Sequence, residues 1–295
     1  CSEEEFALDT IRLALIGFGN VGQGFVQLLK ERGQVLDEQL GVHLEIVAVS
    51  DLLKGSVYKP DGIDPTTLLN AVNISGNLNF MPAYARGWDA LETISYSNAD
   101  VIVELTPTNL KTGEPAFNYL RSALESGKHI VTANKGPIAL YYPALKSLAE
   151  SHNLKIGVEG TVMSGTPVLH LGQNLLRLAG IKRIQGIVNG TTNYILTQMD
   201  NDADYADALK EAQDLGFAEA DPTNDVEGYD SAGKMVILAN LLMGGSLSMA
   251  DVRLNGITKI TKQDLVSARA KSQVWKLVGI VEKSVGSVTA SVKPT

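Results

Sequence analysis

Ile11-Arg12-Leu13-Ala14-Leu15-Ile16-Gly17-Phe18-Gly19-Asn20-Val21-Gly22 decides how this chain is read. A short apolar run stops at a glycine. The GxGxxG spacing then passes directly into a segment with apolar residues at Val21, Phe25, Leu28, Leu29 and Leu36, which is a helical rhythm. Strand, glycine turn and helix in that order suit a dinucleotide. Gly17 permits the tight turn and Gly19 lets the backbone approach a pyrophosphate. Gly22 allows the helix to pack on the strand, and the helix N-terminus attracts the phosphates. Glycine triplets also occur by chance, so the flanking strand and helix carry the argument. The expected cofactor seat is Gly17, Phe18, Gly19, Asn20, Val21 and Gly22.

Outward from this turn, residues 44–49 form a second strand pattern that ends in Val49-Ser50-Asp51. A carboxylate there accepts both ribose hydroxyls, so Asp51 favours NAD over NADP. It lies further from Gly22 than the usual ~20 residues, because a long helix and loop intervene. Lys54 and Lys59 follow closely and can meet a 2′-phosphate, which keeps NADP open. Strand patterns recur at 100–105, 129–132 and 155–159. Helical patterns start at Asp64-Pro65, with Asp as cap and Pro in the first turn, and cover 112–126 and 143–151. This alternation predicts parallel βαβ units. After about 159 the pattern changes. A strand is expected over 181–188, a helix over 204–215 stopped by Gly216, an apolar helix over 230–242, and strands over 275–281 and 287–292. The expected fold class is α/β: a Rossmann-type dinucleotide-binding domain over 1–135 and an α+β domain over 136–295, with the change falling between 135 and 160.

Composition removes several classes. The 295 residues are 44% hydrophobic and 20% charged, enough apolar content for a sizeable core. The 25 Lys+Arg against 33 Asp+Glu give a net charge of -8, which argues against a nucleic-acid partner. No apolar run reaches the roughly 18 residues of a membrane span. The N-terminus lacks a basic, apolar, small-residue leader pattern, so a cytoplasmic location is expected. Cys1 is the single cysteine and makes no intrachain disulfide. His43, His129, His152 and His170 are too scattered for a zinc site.

The most informative later stretch is Gly216-Phe217-Ala218-Glu219-Ala220-Asp221-Pro222-Thr223-Asn224-Asp225-Val226-Glu227-Gly228-Tyr229-Asp230-Ser231-Ala232-Gly233-Lys234. Five carboxylates fall within twelve positions, from Glu219 to Asp230. Such a loop is usually a solvated face or a cation site, and it also suits the ammonium of an amino acid. Asp230 and Lys234 are four apart and share a helix face. Read blind, they are more often a helix-stabilising ion pair. A lysine at the mouth of an apolar helix also suits a proton donor. Lys135, in Val131-Thr132-Ala133-Asn134-Lys135-Gly136, follows a strand end, where open parallel sheets collect ligands; a solvated loop lysine is the ordinary alternative.

Together these residues resemble the homoserine dehydrogenase family over nearly the whole chain. The likeness runs through Gly17 to Gly22, Val103-Glu104-Leu105-Thr106-Pro107, and Gly127-Lys128-His129-Ile130-Val131-Thr132-Ala133-Asn134-Lys135. It continues through Glu159-Gly160-Thr161-Val162-Met163-Ser164-Gly165-Thr166-Pro167 and Asn189-Gly190-Thr191-Thr192-Asn193-Tyr194-Ile195. The stretch from Gly216 to Lys234 is its most specific element. The resemblance implies reversible, NAD(P)-dependent reduction of L-aspartate 4-semialdehyde to L-homoserine, on the route to threonine and methionine. It implies Lys234 and Asp230 as the catalytic pair and Lys135 near the nicotinamide. It adds Thr106, Pro107, Ala133 and Asn134 on the cofactor side. Glu219 and Asp225 would hold the substrate ammonium, with Thr191 and Tyr194 lining the pocket. A monovalent cation, Na+ or K+, would sit on the Glu159 side chain and the carbonyls of Val162, Ser164 and Thr166. A homodimer formed through the second domain is expected. No kinase or regulatory module is seen, so threonine feedback is not expected. Many relatives carry a closing glycine-rich segment and helix that return to the first domain, beyond Thr295.

Two other readings compete. Another two-domain nicotinamide enzyme for a small amino acid, such as an aspartate dehydrogenase, is disfavoured by the stretch from Gly216 to Lys234. A non-catalytic dinucleotide sensor would need Gly17 to Gly22 but not Lys135, Asp230 and Lys234.

Overall fold

The computed structural model describes residues 8–295, so Cys1 lies outside the described residues. The chain divides into two compact units. The first comprises residues up to Val158 except for two short excursions, at Leu110–Thr112 and Ile138–Leu140, and the second runs from Glu159 to Thr295. The division therefore falls later than 135/136.

In the first unit, β1 (Asp9–Ile16) enters the glycine turn and α1 (Asn20–Leu40) leaves it. β2 (Val42–Asp51) and β3 (Gly55–Tyr58) form a hairpin. α2 (Pro65–Ser75) begins where Asp64-Pro65 predicts, with the Asp64 carboxylate accepting the Thr67 amide at 2.8 Å. β4 (Ala85–Arg86) precedes α3 (Ala90–Tyr96), which Asp89 and Glu92 close with a reciprocal capping box. β5 (Val101–Glu104), α4 (Ala116–Glu125), β6 (His129–Thr132), α5 (Lys135–Ser151) and β7 (Ile156–Gly157) follow.

The strand order is β4-β3-β2-β1-β5-β6-β7. β2, β1, β5, β6 and β7 run parallel, while β3 and β4 add antiparallel edges. The order reverses between β1 and β5, the place where an open α/β sheet takes its ligand. Leu15, Phe18, Val26, Ile46, Val49 and Leu68 fill the core between α1, α2 and the sheet. α5 departs from expectation: it starts at Lys135 and runs through Pro143. A proline lacks one amide and strains the turn before it, which marks a helix start in sequence, yet this helix continues through it.

In the second unit, α6 (Gly160–Met163) and α7 (Val168–His170) lead to β8 (Arg183–Gly186). α8 (Gly190–Asp200), α9 (Tyr205–Asp214), α10 (Thr223–Val226) and α11 (Tyr229–Leu242) come next. β9 (Val252–Leu254), α12 (Lys262–Arg269), β10 (Leu277–Ser284) and β11 (Ser287–Pro294) complete the unit. The four strands lie in the order β8-β10-β11-β9. α11 is buried over most of its length from Ser231 to Ala239, so its apolar residues are core and Lys234 interrupts them. No helix among the described residues is long and apolar enough to cross a membrane.

Candidate functional site

The glycine turn has the shape its spacing predicts. Gly17 adopts φ +99°, and a Cβ there would lie 2.7 Å from the Leu105 carbonyl oxygen. A Cβ on Gly22 would lie 2.7 Å from the Gly17 oxygen, so that position holds the helix against the turn. A Cβ on Gly19 would meet nothing within 4 Å, and no side chain caps α1. Asn20 and Val21 are exposed at the mouth of the helix, whereas the Phe18 ring is fully buried. An open glycine backbone at an uncapped helix N-terminus fits a pyrophosphate.

Asp51 does more than its position suggests. One carboxylate oxygen accepts the Phe18 amide at 2.7 Å, which ties the end of β2 to the glycine turn. The other accepts the amides of Leu53 and Lys54 at 3.0 and 2.9 Å and shapes the hairpin tip. Burial pushes the group up, but the amides of Phe18, Lys54 and Leu53 outweigh it and hold its pKa below the ordinary aspartate value.

At the ends of β5 and β6 lies a second network. Glu104 is fully buried; one oxygen accepts the Thr106 amide at 2.8 Å and its hydroxyl, and the other accepts the Thr132 hydroxyl at 2.7 Å. Asn134 caps α5 by accepting the Gly136 amide at 3.1 Å. Its own amide donates to the Thr132 hydroxyl at 2.9 Å, and its side chain donates to the carbonyls of Thr106 and Pro107 at 3.1 and 3.3 Å. Ala133 is half-buried, and Lys135, also half-buried, opens α5.

The second unit gathers the other candidates. Gly228, at φ +86°, turns the chain from α10 into α11 and brings Asp225 and Asp230 to one place. The Lys234 ammonium lies 2.7 Å from Asp230 Oδ2 and donates to the Val188 carbonyl at 2.5 Å, each side chain of the ion pair keeping 14% exposure. Asn189 donates to Asp225 at 2.6 Å and to Asp230 at 3.1 Å, and its Oδ1 caps α8 through the Thr192 amide at 2.8 Å. Burial pushes the pKa of Asp225 up. Asn189 and Lys234 pull it down, while Asp230 and Glu219 add to the rise. Glu219 is exposed but within electrostatic reach.

The five-carboxylate stretch thus divides. Asp221 accepts the amide and hydroxyl of Thr223 in its own turn, and Glu227 accepts the Thr258 hydroxyl. Asp225 and Asp230 gather at Lys234, and Glu219 acts on Asp225 from the exposed side. Thr191 donates to the Phe217 carbonyl at 2.6 Å, and the Tyr194 ring meets Phe217 edge-on at 5.1 Å. The Tyr194 hydroxyl turns to Gln198 and Glu211. Both residues therefore support the wall of the loop. Asn189 and Val188 join the cluster without having been singled out; an N-cap position before α8 was the available signal for Asn189.

Of the cation candidates, Glu159 accepts the amides of Leu169 and His170 at 2.9 and 2.8 Å. Val162 is buried, Ser164 adopts φ +53°, and the Thr166 amide donates to the Met163 carbonyl. No His/Cys/Asp/Glu cluster among the described residues forms a metal cage.

A largely parallel sheet with a glycine turn at its switch point, and a second unit that holds a mostly buried ammonium beside carboxylates, are features of a nicotinamide-dependent dehydrogenase. Family comparison narrows the class. The family model "Homoserine dehydrogenase, NAD binding domain" matches residues 17–159, and "Homoserine dehydrogenase" matches residues 167–295. An NAD(+)-dependent homoserine dehydrogenase of Pseudomonas canavaninivorans is 44% identical over 96% of this chain and 81% of its own. A homoserine dehydrogenase of Methanocaldococcus jannaschii is 38% identical over 92% and 80%. A hyperthermophilic archaeal homoserine dehydrogenase mutant, solved in complex with NADPH, superposes with a TM-score of 0.81 at 29% identity, covering 97% of this chain and 82% of that one. The chain belongs to the homoserine dehydrogenase family, and residues 17–159 are its NAD-binding domain.

Proposed function

We propose that this chain reduces L-aspartate 4-semialdehyde to L-homoserine, reversibly, and that Lys234 is the proton donor. Bound NADH or NADPH supplies the hydride. As the aldehyde oxygen gains negative charge, the Lys234 ammonium stabilises it and delivers a proton. Asp230 and the Val188 carbonyl hold that ammonium, and Asn189 holds Asp230. Asp225 and Glu219 take the substrate's own ammonium. The observation that carries this reading is one lysine paired with Asp230 beside Asp225, with Glu219 acting on Asp225, a local excess of negative charge that a second cation would offset.

Lys135, at the start of α5, orients the carbonyl on the cofactor side, with Thr106, Pro107, Ala133 and Asn134 around it. Asp51 favours NAD, in line with the NAD(+) dependence of the Pseudomonas relative. The all-oxygen set of Glu159 and the carbonyls of Val162, Ser164 and Thr166 suits a hard monovalent cation. A homodimer is supported by the edge position of β8 and by the exposed Leu175, Leu178 and Ile187 in the flanking segments. The single cysteine suits a reducing cytoplasm.

Turnover of aspartate semialdehyde with NADH and with NADPH, set beside oxaloacetate plus ammonia, tests the substrate. Activity on the second pair alone would make the chain an aspartate dehydrogenase. NADH binding without either turnover would make it a sensor.

A further inference from the structure

Glu104 is a buried carboxylate that the proposed mechanism leaves unused. It stands at the carboxyl end of β5, one strand from the glycine turn, with no exposed surface. Its contacts close into a ring. The Asn134 amide donates to the Thr132 hydroxyl, whose own proton is then available to Glu104. The other Glu104 oxygen takes the Thr106 amide, and the Asn134 side chain returns to the carbonyls of Thr106 and Pro107. Thr106, Thr132 and, through Thr132, Asn134 thus depend on one acceptor. The ring also reaches the glycine turn, because Leu105 donates its amide to Ile16 at 2.7 Å and its carbonyl forms the wall that only a glycine at 17 can approach. Burial pushes the Glu104 pKa up, and the hydroxyls of Thr106 and Thr132 pull it back by favouring the charged acceptor.

We infer that Glu104 is the positioning residue of the cofactor's nicotinamide side: its ring fixes the Thr106–Pro107 turn to the start of α5 and so sets where Lys135 stands. The inference rests on the reading of Lys135, Thr106, Pro107 and Asn134 as cofactor-side residues. An apolar or amide side chain at 104 would leave the Thr106 amide or the Thr132 hydroxyl without its acceptor, and both loops would open together.

The test uses Glu104→Gln, which keeps the shape, with Thr132→Val and Thr132→Ser as companions. In the cofactor-free protein, hydrogen exchange at the amides of Thr106, Asn134 and Gly136 should speed up by about tenfold in Glu104→Gln and Thr132→Val. The NADH Kd, read by fluorescence, should rise by a similar factor, with kcat lowered and the homoserine KM unchanged. Thr132→Ser restores the hydroxyl and should restore all of these values. The double variant Glu104→Gln/Thr132→Val should be no worse than either single one, because both break the same ring. Exchange rates and Kd within about twofold of wild type in Glu104→Gln, with Lys135→Ala slow in turnover, would overturn the role of Glu104 and leave Lys135 standing. A Lys135→Ala variant with normal turnover and NADH affinity would instead remove the cofactor-side reading, and the inference with it.

Discussion

The two units bury carboxylates in opposite ways. In the first, Glu104 and Asp51 each receive donors that cannot leave: backbone amides and short hydroxyls. In the second, Asp225 and Asp230 share one asparagine side chain, and one lysine pairs with Asp230 and acts on Asp225. An acid held by fixed amides and hydroxyls builds a wall, whereas two acids held together by side chains concentrate negative charge where a cation can bind. The same residue type therefore supports a turn in one place and recruits a charged ligand in the other, and only the donor supply distinguishes them.

The comparison breaks most visibly at Lys234. Lys234→Ala should lower kcat by roughly 10²–10⁴-fold while NADH affinity stays near wild type, measured by steady-state kinetics and fluorescence titration. Near-normal turnover would reduce the ion pair to a helix brace. Next comes Asp225→Asn, which should raise the homoserine KM by about 10–100-fold, a charged hydrogen bond being worth about 1.5–3 kcal/mol. The pH profile sharpens this prediction. Asp225 binds an ammonium only when ionised, and its raised pKa moves the acid limb of kcat/KM above that of an ordinary carboxylate. The asparagine variant should lose that limb.

Asp51→Ala should weaken NAD by about tenfold and NADP by less, seen in parallel Kd measurements. Its stability effect has the opposite pH sign to that of Asp225. Asp51 has a lowered pKa in the fold, so its contribution is present above the unfolded value and is lost as pH falls through the folded one. Ionised Asp225 costs stability above its raised folded pKa, and protonation relieves that cost as the pH falls. The smallest effect should come from Asp221→Ala, a thermal midpoint close to wild type with KM unchanged, because this exposed carboxylate serves its own turn. A raised KM there would mean that the loop acts as one acidic surface.

Much of the fold was legible because its signals are local and strong. The glycine turn, the Asp64-Pro65 helix start and the Gly216 stop each rest on backbone geometry that few residues satisfy. β3, β4 and β9 leave no legible pattern, since two to four residues are too few to display a period of two. Only the second half of α5 is legible, because Pro143 mimics a helix start. At the site, the catalytic role given to Lys234 and Asp230 came from the family resemblance, while their ion pair was readable from its i,i+4 spacing. The division of the acidic loop was not, because it depends on Gly228 turning α11 back and on Thr223 and Thr258 drawing two acids away. The wider duty of Asp51 was hidden for the same reason: its partners Phe18, Leu53 and Lys54 offer backbone amides, which every residue but proline carries.

The hairpin held by Asp51 carries two leucines at its tip, Leu52 at 99% and Leu53 at 86% exposure. Since the aspartate secures the bend from beneath, neither leucine side chain bears any load in the core. The tip is in effect a replaceable cassette, in which residues 52 and 53 can be exchanged while the carboxylate that shapes it stays in place.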